Sequence, residues 1–135
     1  MRAIDTNIVV RYLTGDHPEQ SALAKTIIEA GDIFVATSVM LEADWVLRSV
    51  YRFSRNDTVL ALRAFAGLPG VRVGDPALLA QALDLAEAGM DFADALHVGA
   101  ALGCDDFLTF DQKFIHAAQG QTQVRVVAPD RSAIR

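Results

Sequence analysis

The chain has 135 residues and a mass of 14.6 kDa, enough for one hydrophobic core and too few for two, so a single domain over residues 1–135 is expected. With 52% hydrophobic and 21% charged residues it falls outside the disordered, collagenous and low-complexity classes, and no apolar run reaches the roughly 18 residues of a membrane span. The net charge of −5 argues against a protein that coats nucleic acid by charge alone.

Taken in chain order, Arg2 to Asp5 reads as a short strand, after which Thr6 or Asn7 caps a helix carrying Ile8, Val9, Tyr12 and Leu13 as far as Gly15. His17-Pro18-Glu19 restarts a helix with proline in its first turn, running to about Gly31. Ile33 to Ala36 is rich in β-formers. Thr37-Ser38 then caps a helix whose apolar stripe is Val39, Ala43, Val46 and Val50. Asn56-Asp57 opens another helix, closed by Leu68-Pro69-Gly70, and Val71 to Val73 is a third strand. Asp75-Pro76 begins a helix that Gly89 ends, and Asp91 to Gly103 makes one more. Phe107 to Phe110 and Val124 to Val127 bring the strands to five. Strands separated by helices predict an α/β fold, a three-layer α/β/α arrangement around a central, mostly parallel five-stranded sheet. Trp45, the phenylalanines and Met40 lie in these patterns and read as core or interface.

Charge is segregated along the chain. From Val73 to Gln112 there is no lysine or arginine but eight acids, whereas Arg48, Arg52, Arg55 and Arg63 fall within sixteen residues. Cys104 is the one cysteine, so an internal disulfide is excluded; this fits a reducing compartment, and with no secretory signal in MRAIDTNIVVRYL the cytoplasm is expected.

Open parallel sheets bind ligands beyond the carboxyl ends of their strands. Asp5 and Asp111 sit at two such ends, Glu42 about a turn into the helix after the second strand, and Asp94 in the first turn of the helix after Gly89, so all four can face one rim. Glu42 lies on the flank of the expected apolar stripe, which argues against free exposure. Unit charges about 4 Å apart repel by roughly 4 kcal/mol at an effective dielectric of 20, a conflict that a divalent cation removes. Hard oxygen donors without a cysteine or a close histidine pair favour Mg²⁺ or Mn²⁺ over zinc, and such an ion activates water and clamps a phosphodiester. The reaction class is phosphoryl transfer.

Asp5-Thr6-Asn7 after an N-terminal strand, Glu42, Asp94-Ala95-Leu96-His97 and Thr109-Phe110-Asp111 together resemble the PIN-domain ribonucleases, specifically the VapC toxins of bacterial toxin–antitoxin pairs. The likeness covers nearly the whole chain. It implies that Asp5, Glu42, Asp94 and Asp111 hold Mg²⁺ or Mn²⁺ and are the catalytic acids of an endonuclease that cuts single-stranded RNA. It also implies that Asn7 and Thr109 orient carboxylates, and that the partners are a VapB-like antitoxin and a second copy of the chain. Asp94 is preferred over its neighbour Asp91 because it stands in the Asp-Ala-Leu-His context.

Each residue also has a plainer reading. Asp5 suits a helix cap, Asp111 a turn or cap, Asp94 a first-turn acid facing the helix dipole, and His97 a packed or surface position. Arg48, Arg52 and Arg55 share a face if the helix continues that far, where they meet either RNA or solvent, with Asp44 placed to pair Arg48. Other functions fit less well. A phosphatase with Asp5 as nucleophile is the alternative enzyme, but the haloacid-dehalogenase type needs an aspartate where this chain has Asn7. A phospho-receiver module lacks its acceptor on the third strand. A non-catalytic PIN-like binding module would not need four acids. Phosphate-loop and serine-hydrolase motifs are absent.

Overall fold

The computed structural model describes residues 1–130. Its elements run β1 (Arg2–Ala3), α1 (Thr6–Thr14), α2 (Pro18–Glu29), β2 (Ile33–Val35), α3 (Thr37–Ser49), α4 (Arg55–Ala66), β3 (Val71–Val73), α5 (Pro76–Glu87), α6 (Phe92–Ala100), β4 (Asp106–Leu108), α7 (Gln112–Ala118) and β5 (Arg125–Val127). The α/β alternation is the one the sequence predicts, and every strand pairing is parallel. The five strands do not form one ladder, however. β1, β2 and β3 make one sheet in that order, and β4 and β5 make another. Strands of two or three residues offer few ladder hydrogen bonds, and hydrophobic patterning does not reveal which neighbours will share them. The chain divides into two compact units, Met1–Leu79 and the remainder from Ala80.

In the first unit, β2 is the central strand, with Ile33 and Val35 buried. Parallel pairing requires a crossover between successive strands, supplied by α1 and α2 and then by α3 and α4. α1 packs on α2 and α3, and α3 on α4. Tyr12 meets Phe65 edge to face with centroids 5.8 Å apart. The turn into β2 needs two glycines. Gly31 has φ +79°, and a Cβ on Gly70 would lie 2.5 Å from the Gly31 Cα, while the Gly70 carbonyl accepts a hydrogen bond from Ile33 at 2.9 Å.

The buried stripe of α3 is Met40, Ala43, Asp44 and Leu47, not the expected Val39, Ala43, Val46 and Val50. Val50 is exposed. The two stripes differ by about one residue of rotation, and a carboxylate within the buried one hides it from a hydrophobic reading. Asp44 tolerates burial because Arg48, one turn on, donates to both its oxygens at 3.1 and 2.8 Å. The pair is therefore not the solvated surface pair that its spacing suggested.

In the second unit, α6, α7 and the part of α5 from Ala80 onward bury Leu83, Phe92, Ala95, Val98 and Phe114. Phe107 packs on Phe114 at 5.3 Å. The helix α7 was not evident as an element in the sequence pattern, being only seven residues long. Met40 and most phenylalanines are covered as expected, but Trp45 and Phe110 stand in solvent. Among the described residues no helix is long and apolar enough to cross a membrane.

Candidate active site

Parallel register brings the carboxyl ends of β1 and β2 side by side: Ala3 stands opposite Phe34, and the Ile4 amide donates to the Phe34 carbonyl at 3.1 Å. The chain leaves both strands into helices at this edge. Asp5 is the N-cap of α1, its Oδ1 accepting from the Thr6 amide at 2.7 Å. The capping expected of Thr6 or Asn7 thus falls to Asp5, which orients its carboxylate. α3 begins on Ala36 without a side-chain cap, in place of the expected Thr37-Ser38 capping.

A cavity of about 430 Å³ lies between these helices. α1 supplies Asn7, Val10 and Arg11 from one face, at i, i+3 and i+4, and α3 with its C-cap residue supplies Glu42, Val46 and Val50 at steps of four. Asp5 and Glu42 therefore line one cavity, together with Tyr51 from the end of α3. Glu42 is exposed to solvent, contrary to the sequence expectation, because the buried stripe lies on another face of α3.

A hydrogen-bonded network borders the same cavity. The Tyr51 hydroxyl donates to Asp16 Oδ2 at 2.6 Å and accepts from Arg11 Nη1 at 3.0 Å. Thr14 Oγ1 donates to Asp16 Oδ1 at 2.8 Å, and Arg11 Nε to Gln20 Oε1 at 2.9 Å. The bonds from Tyr51 and Thr14, with a smaller contribution from the charge of Arg11, hold the Asp16 carboxyl below its ordinary pKa.

In the second unit Asp91 caps α6, its Oδ2 accepting from the Asp94 amide at 3.3 Å. Asp94 follows in the first turn. Burial, then the charges of Asp91 and Asp111, push its carboxyl above the ordinary carboxylate value, and His97 offsets part of the shift. Asp111 caps α7: its Oδ1 accepts from the Phe114 amide at 3.2 Å, and its own amide donates to Thr109 Oγ1 at 3.0 Å. Thr109 thus holds the backbone of Asp111, while the carboxylate is held by the helix.

The structure brings Asp5 together with Glu42, and Asp94 into the field of Asp91 and Asp111. Among the described residues no group of three or more His, Cys, Asp or Glu side chains is gathered closely enough to hold a metal ion. The donor chemistry suits a hard divalent cation all the same: the donors are carboxylate oxygens, and Asp94 experiences an excess of negative charge that a cation would relieve.

The model of the PIN domain family matches residues 3–120, through both compact units. The chain belongs to the PIN domain family. No curated protein matches it. PIN domains are nuclease-type domains that typically work with divalent metal ions.

Within this PIN domain the arginine stripe dissolves. α3 ends at Ser49, Arg52 has φ +58° and Arg55 begins α4, so Arg48, Arg52 and Arg55 do not share a helix face. Arg48 is engaged with Asp44. Sequence reasoning missed Arg11, Asp16 and Tyr51. The helical step of four from Asn7 to Arg11 was a usable signal for Arg11, but no local pattern ties Tyr51 to a residue forty positions away.

Proposed function

We propose that this PIN domain is a Mg²⁺- or Mn²⁺-dependent endoribonuclease for single-stranded RNA, with Asp5, Glu42, Asp94 and Asp111 as its metal-holding acids. The observation that carries the reading is the sharing of one cavity by Asp5 and Glu42 at the carboxyl edge of a parallel sheet, in a chain of a nuclease-type family. Each acid has a defined part. Asp5 and Asp111 are held by the first amides of their helices, which limits their rotation before any ligand arrives. Asp94 retains a proton more readily than an isolated aspartate, so a cation and a proton compete for it. A divalent ion bound by these groups supplies Lewis acidity toward water and phosphate oxygens. Asn7 borders the Asp5 cavity and Thr109 anchors Asp111, roles suited to orienting the two acids.

We further infer that the chain acts as one functional domain over 1–135, as the toxin of a VapC-like pair in the cytoplasm, with a VapB-like antitoxin and a second copy of itself as partners. The family match through both units and the four motif acids support this reading.

The test is cleavage of a single-stranded oligoribonucleotide by purified protein. Turnover is expected with Mg²⁺ or Mn²⁺ and not with EDTA, and Asp5→Asn or Asp94→Asn should lower it by about 10²-fold or more, the scale on which preorganised charge contributes to a transition state. Full-rate cleavage in EDTA, or by both variants, overturns the proposal.

A further inference from the structure

Arg11 is the basic residue in the lining of the cavity that holds Asp5 and Glu42. Three side chains from separate stretches fix its guanidinium: Gln20 on Nε at 2.9 Å, Tyr51 on Nη1 at 3.0 Å, and Asp16 at 3.5 Å from the same Nη1. A guanidinium carries five N–H donors in a planar fork. Nη2, with two of them, makes no hydrogen bond among the described residues. The side chain keeps 28% of its surface exposed.

The nearest carboxylate does not use the charge fully. Asp16 stands at 3.5 Å and spends its shorter contacts on Tyr51 at 2.6 Å and Thr14 at 2.8 Å. Arg48 shows the opposite arrangement, closing two oxygens of a buried carboxylate at 3.1 and 2.8 Å. A cation meant only to tie helices together is expected to look like Arg48. Arg11 is instead held at its Nε and Nη1 side, its Nη2 edge left without a partner among the described residues, at the wall of a cavity whose other polar groups include two carboxylates.

We propose that Arg11 is a substrate-holding residue that binds a phosphate of the single-stranded RNA, with Tyr51, Asp16 and Gln20 as the positioning residues that aim it. The proposal rests on the nuclease reading above and names a residue that reading did not use. An arginine fork matches two phosphate oxygens at once, and prior anchoring lowers the entropy lost on contact. In a cavity with Asp5 and Glu42, it also supplies the positive charge that lets a polyanion approach.

The probe is a fluorescent single-stranded oligoribonucleotide, its affinity for the full chain measured in EDTA across a salt series, alongside KM and kcat with Mn²⁺. Arg11→Gln should weaken binding about tenfold and lower the slope of log affinity against log salt by about 0.7, the value of one phosphate contact on a single strand. KM should rise with little change in kcat. Arg11→Lys should keep the slope and lose affinity about threefold, because charge stays and the fork is lost. Tyr51→Phe should likewise weaken binding with the slope unchanged. A wild-type slope in Arg11→Gln overturns the proposal, as does a wild-type affinity in Arg11→Lys should Arg11→Gln not fold. Failure of the nuclease reading looks different: no metal-dependent cleavage, with Arg11-dependent binding intact. Absence of any RNA binding by the wild-type chain overturns the Arg11 assignment directly.

Discussion

The two compact units treat their acids in opposite ways. In the first, Asp16 is surrounded by donors, with a tyrosine, a threonine and an arginine around one carboxylate, and its proton is held less tightly than usual. In the second, Asp94 is part-buried beside Asp91 and Asp111, in a stretch of sequence without lysine or arginine, and its proton is held more tightly. Electrostatic environment, not residue type, separates a carboxylate that gives up its proton readily from one that retains it. The surroundings of Asp94 disfavour its charged form in the folded chain.

The strongest way to break this contrast is catalytic. If the first unit's acids serve only structure, Asp5→Asn should spare RNA cleavage while Asp94→Asn removes it; the expected result is that both lower kcat/KM by about 10²-fold or more.

Metal-induced stabilisation comes next. An ion that binds only the native state stabilises it by about 2.7 kcal/mol at a hundredfold excess over its Kd, so Mn²⁺ should raise the wild-type Tm in proportion to log concentration. Asp94→Asn should respond much less. An equal response in calorimetry would remove Asp94 from the ligand set.

The buried acid Asp44 sharpens the comparison from within the first unit. It is 4% exposed and both its oxygens accept from Arg48, so its worth is structural. Asp44→Ala should lower stability by about 1–3 kcal/mol, since it leaves a volume unfilled and removes two hydrogen bonds from Arg48. Denaturant unfolding measures this, and an unchanged midpoint would show that the pair contributes nothing net.

The smallest effects concern pH, and their signs differ between units. The folded pKa of Asp16 is lowered from 3.8, so its contribution is present above that value and is lost as pH falls through the folded pKa. The folded pKa of Asp94 is raised from 3.8, so its contribution favours the fold under acid conditions and is lost as pH rises from about 3.8 through the folded pKa. At neutral pH in EDTA, Asp94→Asn should therefore melt higher than wild type and Asp16→Asn lower. Thermal melts from pH 3 to 7 should show the two differences diverging as pH increases. A lower melting temperature for Asp94→Asn would make Asp94 an ordinary first-turn acid.

Much of the architecture was legible because it is locally encoded. Gly15 in the left-handed conformation ends α1, Pro18 opens α2, and Asp75 and Asp91 cap the helices that follow them. Such signals depend on a few neighbouring residues and survive without knowledge of the rest of the fold. The candidate acids were legible for the same reason: strand ends and helix starts are local events, and Asp5, Asp94 and Asp111 all occupy them.

Other features needed the tertiary structure. The buried face of α3 was decided by the Asp44–Arg48 pair, whose mutual neutralisation lets a charge enter a core stripe. The division of the strands into ladders of three and two was decided by a handful of backbone pairings between very short strands. Arg11 acquired its fixed direction from Tyr51, forty residues away, and from Gln20 on the next helix. The sequence by itself determined where most helices start and stop, to within a residue or two, and which acids stand near those points, because backbone caps are satisfied within three or four residues. Only the tertiary structure decided which side chains share a cavity and which charges compensate one another, because those energies depend on distances between residues that chain order does not relate.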